Sequence, residues 1–489
     1  MIVTLASVVF MLSRTSPEFS WDEADYVLNT GYHWGFLWGG ANYGRHGHGP
    51  MAIYLAKLGR EALPAGLGSL ENRSRFIIVL VGSLAIGLLY WTLRYSFRTS
   101  RAAALVGSSL LLFSVIRLEE TNIIGPHHLM LVCTLAIVAL GYHWRDKPGL
   151  RAAIGLGAVM GFGALSMTYV IPAALCWALA VSLAGTGWIS WDRTHSEVKV
   201  SSSILVILST AAIVVLALWP PGALQNIVIN NFNEYLHYPY HPTLVGDHIF
   251  EATPRWAAVY WLAHLDAPIL AFSVSIILIA LWRAFRSGRL SCKHAYLAVC
   301  VVFFLVTALA AHLAGARNLL QFIGVLCLAT GALFDEALGH EPRVIQFSSA
   351  AVIILAALNL IWLSQSSSYT PYLATDGYRA FVQEEQNRLG ERTKALVYGL
   401  PVLWLYAQQY RTAFAWDVRE MPWTTRADAP LPADIKYVLI PAFVNNCMPA
   451  EQPMRRIVAK HWTVVWSFKV DHVWRLQLYE KPSENSPMP

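Results

Sequence analysis

The stretch Ser20-Trp21-Asp22-Glu23-Ala24-Asp25-Tyr26 places three carboxylates within four positions, directly after the first apolar segment of the chain. About ten further apolar segments follow it. Carboxylates beside a membrane boundary are costly unless they stay hydrated or find partners, so such a cluster in a membrane protein indicates a functional site. Its spacing is equally typical of an interfacial helix start, in which Asp22 caps a helix that begins at Glu23.

The composition places the chain among helical membrane proteins. The 489 residues are 56% hydrophobic and 13% charged, whereas a soluble domain carries roughly 25% charged residues. Several apolar runs reach the ~20 residues that cross ~30 Å of hydrocarbon. The net charge of +6 does not indicate nucleic acid binding, because the basic residues lie mostly in short loops, where they set topology.

About eleven spans are predicted, beginning with Met1–Leu12. The loop from Arg14 to Arg75 is predicted to hold two interfacial helices, Ala24–Trp38 and Met51–Leu63. The later spans are Phe76–Leu93, Ala102–Ile116, His128–His143, two helices within Ala152–Ala184 that divide near Met167-Thr168-Tyr169, Ser201–Trp219, Trp256–Trp282, Ala295–Leu313, Leu319–Leu338 and Val344–Leu363.

The loop charges predict an orientation. If the first loop lies outside, every loop on the inside is short and basic: 98–101, 144–151, 186–200, 283–294 and 339–343. The long loops 14–75 and 220–255 then lie outside. An odd number of spans places the tail there too, so we expect a protein of the cytoplasmic membrane with an outer, periplasmic C-terminal domain.

The chain is predicted to comprise a transmembrane module, residues 1–365, and a small α/β domain, residues 366–489. Asp376–Leu389 is predicted to be an amphipathic helix. Enrichment in β-branched and aromatic residues predicts strands at Ala395–Tyr398, Tyr437–Pro441, Thr463–Phe468 and Val473–Tyr479. The chain has no evident internal repeat, which weakens the interpretation as a transporter built from inverted repeats.

A basic turn precedes a helix that begins at a proline. Arg45, His46 and His48 come just before Pro50, and a cation, two imidazoles and a helix N-terminus together can receive a phosphate. The alternative is a polar turn at headgroup level that contacts ordinary lipids. A histidine pair without a third nearby ligand is a weak metal signal.

Further candidates follow on the same predicted face. Arg117 with Glu119 and Glu120 forms either an internally paired loop or a second set of groups that faces the acidic one. Arg255 and Arg317 either extend to lipid headgroups or hold a lipid-linked phosphate. Gly-rich loops of the Walker or Rossmann type are absent, which favours a substrate activated by a lipid phosphate over a nucleotide.

Four segments, in order, resemble motifs of one family. Trp21–Tyr26 resembles its "DE" loop, and His48–Tyr54 its "HPPLYY" segment. Pro254–Tyr260 with Pro268 resembles "PPWYYL…P", and Arg317–Phe322 resembles "RYLLP". Residues 1–365 thus resemble a GT-C fold glycosyltransferase of the ArnT/protein O-mannosyltransferase type, and the tail resembles the terminal domains of several bacterial members.

The resemblance implies a polyprenyl-phosphate sugar donor and a lipid, glycan or protein acceptor. It implies that Asp22, beside Glu23 and Asp25, is the general base or positions the acceptor hydroxyl. Cationic groups would neutralise the leaving phosphate, a role carried onto Arg317 and Arg255. Attack would be in line, with inversion at the anomeric carbon.

Two departures from the family pattern bear on the site. The family often has a Thr-Lys pair where this chain has Thr168-Tyr169, so Arg45, His46 or His48 would supply the missing cation. The acid usual in the third-span loop falls on Asn122, which leaves Arg117, Glu119, Glu120 and Tyr169 as acceptor-side candidates. No cofactor is predicted, and a divalent metal is left open. The alternative function is a non-enzymatic transporter or scaffold.

Overall fold

The computed structural model describes residues 4, 8, 27, 51–120, 124–146, 149–166, 173–179, 197–218, 243–245, 248–250, 254–288, 290–310, 319–339, 341–365, 377–384, 394–397, 400–409, 417–420, 433–441, 461–470 and 473–482. Apart from residues 4, 8 and 27, the predicted span Met1–Leu12 and helix Ala24–Trp38 lie outside this set, as does the predicted division at residues 167–169. The described elements fall into two compact units.

The first unit is helical. Its helices are α1 (Met51–Ala62), α2 (Leu70–Trp91), α3 (Arg101–Leu112), α4 (Val115–Glu120), α5 (His127–Asp146), α6 (Leu150–Ser166), α7 (Glu197–Leu218), α8 (Ala257–Leu265), α9 (Ala267–Arg286), α10 (Cys292–Ala310), α11 (Leu320–Ala337) and α12 (Pro342–Gln365). Residues 173–179 are also helical, and a π-helical turn, Thr92–Ser96, extends α2.

Apolar helices of membrane-spanning length are present, as the composition predicts. Within the described ranges, five helices are long and apolar enough to cross a membrane: Leu70–Ser96, His127–Trp144, Ala267–Arg286, Cys292–Leu309 and Leu320–Ala337. Four shorter apolar helices accompany them: Arg101–Leu112, Leu150–Ser166, Ser203–Ala217 and Ile345–Ile354. The chain is therefore a multi-pass membrane protein, and the total of about eleven spans stays a prediction.

Helix α11 lies at the centre of the first unit. Almost all of its residues are buried, and glycines allow its close contact with α3. A Cβ at Gly107 would lie 2.9 Å from the carbonyl oxygen of Cys327, and one at Gly331 would lie 3.2 Å from that of Ala103. Small residues at such contacts let helix backbones approach in a bilayer, where association depends on packing.

Two predicted spans are interrupted in the structure. The sequence predicts one helix over Ala102–Ile116, but α3 ends at Leu112 and α4 begins at Val115. It also predicts one helix from Trp256 to Trp282, but Asp266 separates α8 from α9. Pro268 has no N–H and is favoured in the first turn of a helix, so it suits a new start at this position.

The second unit contains a five-stranded mixed sheet. Its strands are β3 (Lys394–Val397), β4 (Asp417–Glu420), β5 (Tyr437–Pro441), β6 (Thr463–Val470) and β7 (Val473–Glu480), in the order β4-β3-β5-β7-β6. Strand β3 is parallel to β4 and β5, while β7 is antiparallel to β5 and β6. A hairpin of β1 (Thr243–Val245) and β2 (His248–Phe250) belongs to the same unit.

Helices α13 (Tyr378–Glu384) and α14 (Leu400–Gln409) complete the second unit. Their buried side chains include Phe381 and Tyr406, and the Arg379 guanidinium lies 5.3 Å from the Tyr406 ring centroid. The sheet has its own apolar core, with Leu396, Val438, Ile440 and Tyr479 among its members. The four predicted strands are present, and the predicted helix at Asp376–Leu389 corresponds to α13 within the described residues.

Candidate functional site

The two interrupted helices meet at Asp266, which is fully buried. Its carboxylate accepts hydrogen bonds from the Ser114 hydroxyl (2.6 Å), the Val115 amide (2.8 Å) and the Ile116 amide (3.4 Å). It also accepts one from the side-chain amide of Asn359 on α12 (3.2 Å). One side chain at the α8–α9 break therefore caps the first turn of α4 and connects it to α12.

The position of the break explains why a carboxylate is buried there. Helix α3 has 12 residues, about 18 Å at ~1.5 Å per residue, which is too short to cross ~30 Å of hydrocarbon. If α3 begins at the basic turn 98–101 that the sequence predicts to lie at the membrane surface, the α3–α4 break falls within the apolar thickness. Unsatisfied backbone groups are expensive at that depth, and Asp266 satisfies the free amides at the start of α4.

Arg117 satisfies free backbone groups at the end of α3, as Asp266 does at the start of α4. Its guanidinium is fully buried and donates to the carbonyl oxygens of Leu112 (3.0 Å) and Gly82 (3.5 Å). The Leu112 carbonyl belongs to the last turn of α3, whose carbonyls have no partner within the helix. A cation is also favoured at a helix C-terminus. Arg117 and Asp266 thus stabilise the two sides of one break.

Two histidines open helix α5 beside this break. His127 and His128 are both buried. The His128 ring lies against α2, where a Cβ at Gly82 would come within 2.7 Å of its Nδ1. Gly82 therefore makes room for the imidazole, while its carbonyl accepts the bond from Arg117.

More ionisable groups are buried on the neighbouring helices. Glu71 and Arg75, on the first two turns of α2, are each 1% exposed. Lys57 on α1 is also buried, and its Nζ lies 3.7 Å from a Glu61 carboxylate oxygen. We call this part of the helical unit, where α2, α5 and α11 begin and α3 and α12 end, the Asp266 end. So many buried charges in an apolar helical bundle indicate a functional region.

Most of the site residues predicted from the sequence lie outside the described residues. They are Asp22, Glu23, Asp25, Arg45, His46, His48, Tyr169 and Arg317, together with the side chains of Glu119 and Glu120. Their assignments stay predictions. The sequence places His48 just before α1 and Arg317 just before α11.

Arg255 and Arg117 are the predicted cations that the structure describes with their side chains. Arg255 is exposed and precedes α8, whose nine residues, about 13 Å in length, separate it from Asp266. Arg117 is buried and bonded to backbone carbonyls. Its geometry supports a positioning role, and its contact with an acceptor stays a prediction.

Asp266 lies near the start of a predicted span, and the sequence interpretation assigns it no role. Asp266-Ala267-Pro268 has the pattern of a helix start, an acid followed by a proline in the first turn. The pattern lies inside a long apolar run, and the length of that run predicts a single span.

Within the described ranges, no group of three or more His, Cys, Asp or Glu side chains could hold a metal ion.

No protein-family model and no curated protein matches the chain. Solved structures do match it over nearly its full length. Apo ArnT from Cupriavidus metallidurans matches with a TM-score of 0.58 and 12% identity, over 98% of this chain and 97% of that one. The same enzyme bound to undecaprenyl phosphate matches with a TM-score of 0.53 and 13% identity, over 98% and 97%.

A third match is the oligosaccharyltransferase AglB from Archaeoglobus fulgidus, solved with an inhibitory peptide and a dolichol-phosphate. It has a TM-score of 0.57 and 13% identity, over 99% of this chain and 75% of that one. These proteins are GT-C fold glycosyltransferases. The chain therefore has the GT-C fold, as the four sequence motifs predict.

Proposed function

We propose that this protein is a membrane glycosyltransferase that moves a sugar from a polyprenyl-phosphate donor to a lipid, glycan or protein acceptor. The observation that carries the proposal is the fold match over 98% of the chain to ArnT, which has been solved with undecaprenyl phosphate. The match to AglB, solved with dolichol-phosphate, points to the same class of lipid.

The proposed reaction is a single in-line displacement. The acceptor hydroxyl oxygen forms a bond to the anomeric carbon while the bond from that carbon to the phosphate oxygen breaks, which inverts the centre. Asp22, with Glu23 and Asp25 beside it, accepts or holds the hydroxyl proton, a contribution of about 10²–10⁴-fold. Free polyprenyl phosphate is the leaving group.

Cationic side chains would stabilise the charge that develops on the leaving phosphate. The candidates are Arg45, His46, His48, Arg255 and Arg317. Arg117, Glu119, Glu120 and Tyr169 would lie on the acceptor side. The buried bonds of Arg117 and Asp266 support a rigid α3–α4 break in the same part of the helical unit, and such rigidity helps to hold reacting groups in position.

The proposed location is the outer face of the cytoplasmic membrane, with the sheet domain on that side. Its support is the distribution of basic loops, which satisfies the positive-inside rule along the chain. A polyprenyl-phosphate donor is a lipid, so the site has to open to the bilayer.

A transporter is the second candidate, because interrupted helices that meet at a buried charge are typical of transporter binding sites. Asp266 has both features. However, its two oxygens already accept four hydrogen bonds from protein donors, which leaves little capacity for a substrate. This geometry favours a structural role for the break.

The test is sugar transfer by the full-length protein in lipid nanodiscs, with radiolabelled polyprenyl-phosphate hexoses and pentoses as donors. Membranes from cells that lack the protein supply the acceptor. Asp22→Asn should lower the transfer rate by about 10² or more. The matched control is Asp434→Asn, which removes an exposed pair with Lys394 (2.6 Å) and should leave the rate unchanged.

The outcomes separate the assignments. If the wild type transfers sugar and Asp22→Asn does so at the same rate, Asp22 is not the base, but the proposed activity stands. No transfer from any polyprenyl-phosphate donor, together with uptake of a solute into proteoliposomes, would replace the enzyme with the transporter.

A further inference from the structure

A second polar region lies at the opposite end of the helical unit, where α9 and α11 end and α10 and α12 begin. We call it the Glu336 end. A cavity of about 630 Å³ opens there. Its lining includes Arg283, Arg286, Ser287, Ser291, His294 and Glu336. The function proposed above assigns no role to these residues.

The acid in this cavity already has two basic side chains as partners. Lys293 Nζ donates to the Glu336 carboxylate, and His294 Nε2 lies 2.6 Å from its second oxygen. The Ser291 amide donates to His294 Nδ1 (3.3 Å), so the ring is held between Ser291 and Glu336. Glu336 therefore does not compensate the arginines of the same cavity.

The two arginines of the last turn of α9 remain available. Both side chains are exposed, and among the described residues no carboxylate lies within 4 Å of either guanidinium. A Cβ at Gly339, where φ is +76°, would lie 2.8 Å from Arg283 Nη1, so this glycine leaves space for the guanidinium. Arg286 lies 5.4 Å from the Trp282 ring centroid.

The surroundings indicate that the mouth of the cavity lies at headgroup depth. Helix α9 exposes the apolar side chains Val274, Leu278 and Ile279, and towards its end it exposes Trp282 and Phe285. An apolar face that ends in aromatic and arginine side chains is typical of the membrane–water interface. A ligand that reaches this cavity from the bilayer therefore presents a headgroup to the arginines.

Basic residues in the last turn of a helix also complement its dipole. That role alone requires neither a cavity nor adjacent hydroxyl groups. Here two guanidinium groups share a cavity with the side chains of Ser287 and Ser291. Guanidinium groups bind phosphate oxygens bidentately, and basic pockets between membrane helices bind acidic lipid headgroups.

We propose that the cavity at the Glu336 end binds the phosphate headgroup of an anionic phospholipid through Arg283 and Arg286. This site is separate from the donor site, because α9, about 30 Å long at ~1.5 Å per residue, separates Asp266 from the arginines. The lipid would fix the ends of α9, α10 and α11 relative to one another. The inference stands whether or not the chain is a glycosyltransferase.

Native mass spectrometry of the full-length protein in detergent tests the site, with phosphatidylglycerol or phosphatidylcholine added. The wild type should retain phosphatidylglycerol about tenfold more tightly than phosphatidylcholine. Arg283→Gln with Arg286→Gln should remove that preference. The matched control, Arg98→Gln with Arg101→Gln, changes two exposed arginines near the same end, outside the cavity lining, and should keep it.

Three results would overturn the proposal: an unchanged preference in Arg283→Gln with Arg286→Gln, an equal loss in the control pair, or displacement of the lipid by millimolar inorganic phosphate. The last would assign the cavity to a soluble anion. If the double variant does not fold, Arg286→Gln alone decides, because this exposed side chain has no partner other than Trp282 among the described residues.

Discussion

At the scale of single residues, the Asp266 carboxylate satisfies donors from two separate segments: residues 114–116 at the start of α4, and Asn359 on α12. Each of these donors is buried, so removal of the acceptor would break a hydrogen bond that water cannot readily replace. A buried donor left without a partner costs about 1–3 kcal/mol. The stability of this region therefore depends on one side chain.

Replacement of Asp266 by Ala should lower the apparent unfolding temperature of the purified protein strongly, because it orphans amides at the start of α4. We expect a loss of about 3–5 kcal/mol. Ser114→Ala should cost about 1–2 kcal/mol, since it removes one donor and leaves the carboxylate bonded to the amides. Thermal unfolding followed by tryptophan fluorescence compares the two, and equal shifts would contradict the capping role.

The sequence could not predict these hydrogen bonds of Asp266, because the residues that form them are far apart in the chain. Ser114, Asp266 and Asn359 each occupy a separate apolar run, and an apolar run does not show which polar residue of another run it meets. What the sequence did show was the local signal, an acid followed by Pro268. The acidic stretch around Asp22 can be recognised from the sequence, because three carboxylates within four positions are unusual beside an apolar segment.

At the scale of helices and strands, apolar runs predicted the positions of most spans well. Leu319–Leu338 corresponds to α11 (Leu320–Ala337), and Val344–Leu363 lies within α12 (Pro342–Gln365). The interruptions at Ser114 and Asp266 were missed, because hydrophobicity reports burial and carries no information on where backbone hydrogen bonds stop. Inside a membrane, the backbone hydrogen bonds lost at an interruption have to be replaced. Only the structure shows which side chains replace them.

In the sheet, too, some elements could be predicted from the sequence and one could not. Strands β5, β6 and β7 are rich in β-branched and aromatic residues and were predicted from that enrichment. Strand β4, Asp417–Glu420, is short, mostly charged and at the edge of the sheet. Charged residues are favoured on edge strands because they oppose pairing with other chains, and the same charges hide the strand from a pattern search.

Helix α2 supplies a further prediction. A Cβ at Gly82 would lie 2.7 Å from His128 Nδ1, so Gly82→Ala should displace the imidazole and destabilise the α2–α5 contact by about 1–3 kcal/mol. Gly155→Ala on α6 is the control. Its Cβ would meet Leu140 at 3.8 Å, an ordinary contact, and alanine has the higher helix propensity by about 1 kcal/mol.

Thermal unfolding and transfer activity of both variants check this prediction. Gly82→Ala should lower both, and Gly155→Ala should leave stability equal or higher. Similar behaviour of the two variants would show that the space beside His128 is unimportant.

At the scale of the whole molecule, the predicted orientation can be tested with native cysteines. Cys447 lies in the C-terminal tail, predicted to be outside, and Cys292 lies at the Glu336 end, predicted to be inside. Cys133, Cys176, Cys300 and Cys327 are buried. A membrane-impermeant maleimide should therefore label Cys447 in intact spheroplasts and Cys292 only after permeabilisation.

Two variants show which cysteine carries the maleimide label. Cys292→Ser should still be labelled in intact spheroplasts, and Cys447→Ser should not. The reverse pattern would invert the topology and move the Asp266 end to the cytoplasmic side, where the loop charges do not predict it.

The GT-C fold supports the central proposal that the chain transfers a sugar from a polyprenyl phosphate. The most direct measurement is the stoichiometry of that transfer by the purified protein in nanodiscs, with a donor labelled in both sugar and lipid. We expect one free polyprenyl phosphate for each sugar that reaches the acceptor. Bound donor that is never cleaved, or sugar transferred without release of polyprenyl phosphate, would contradict the claim.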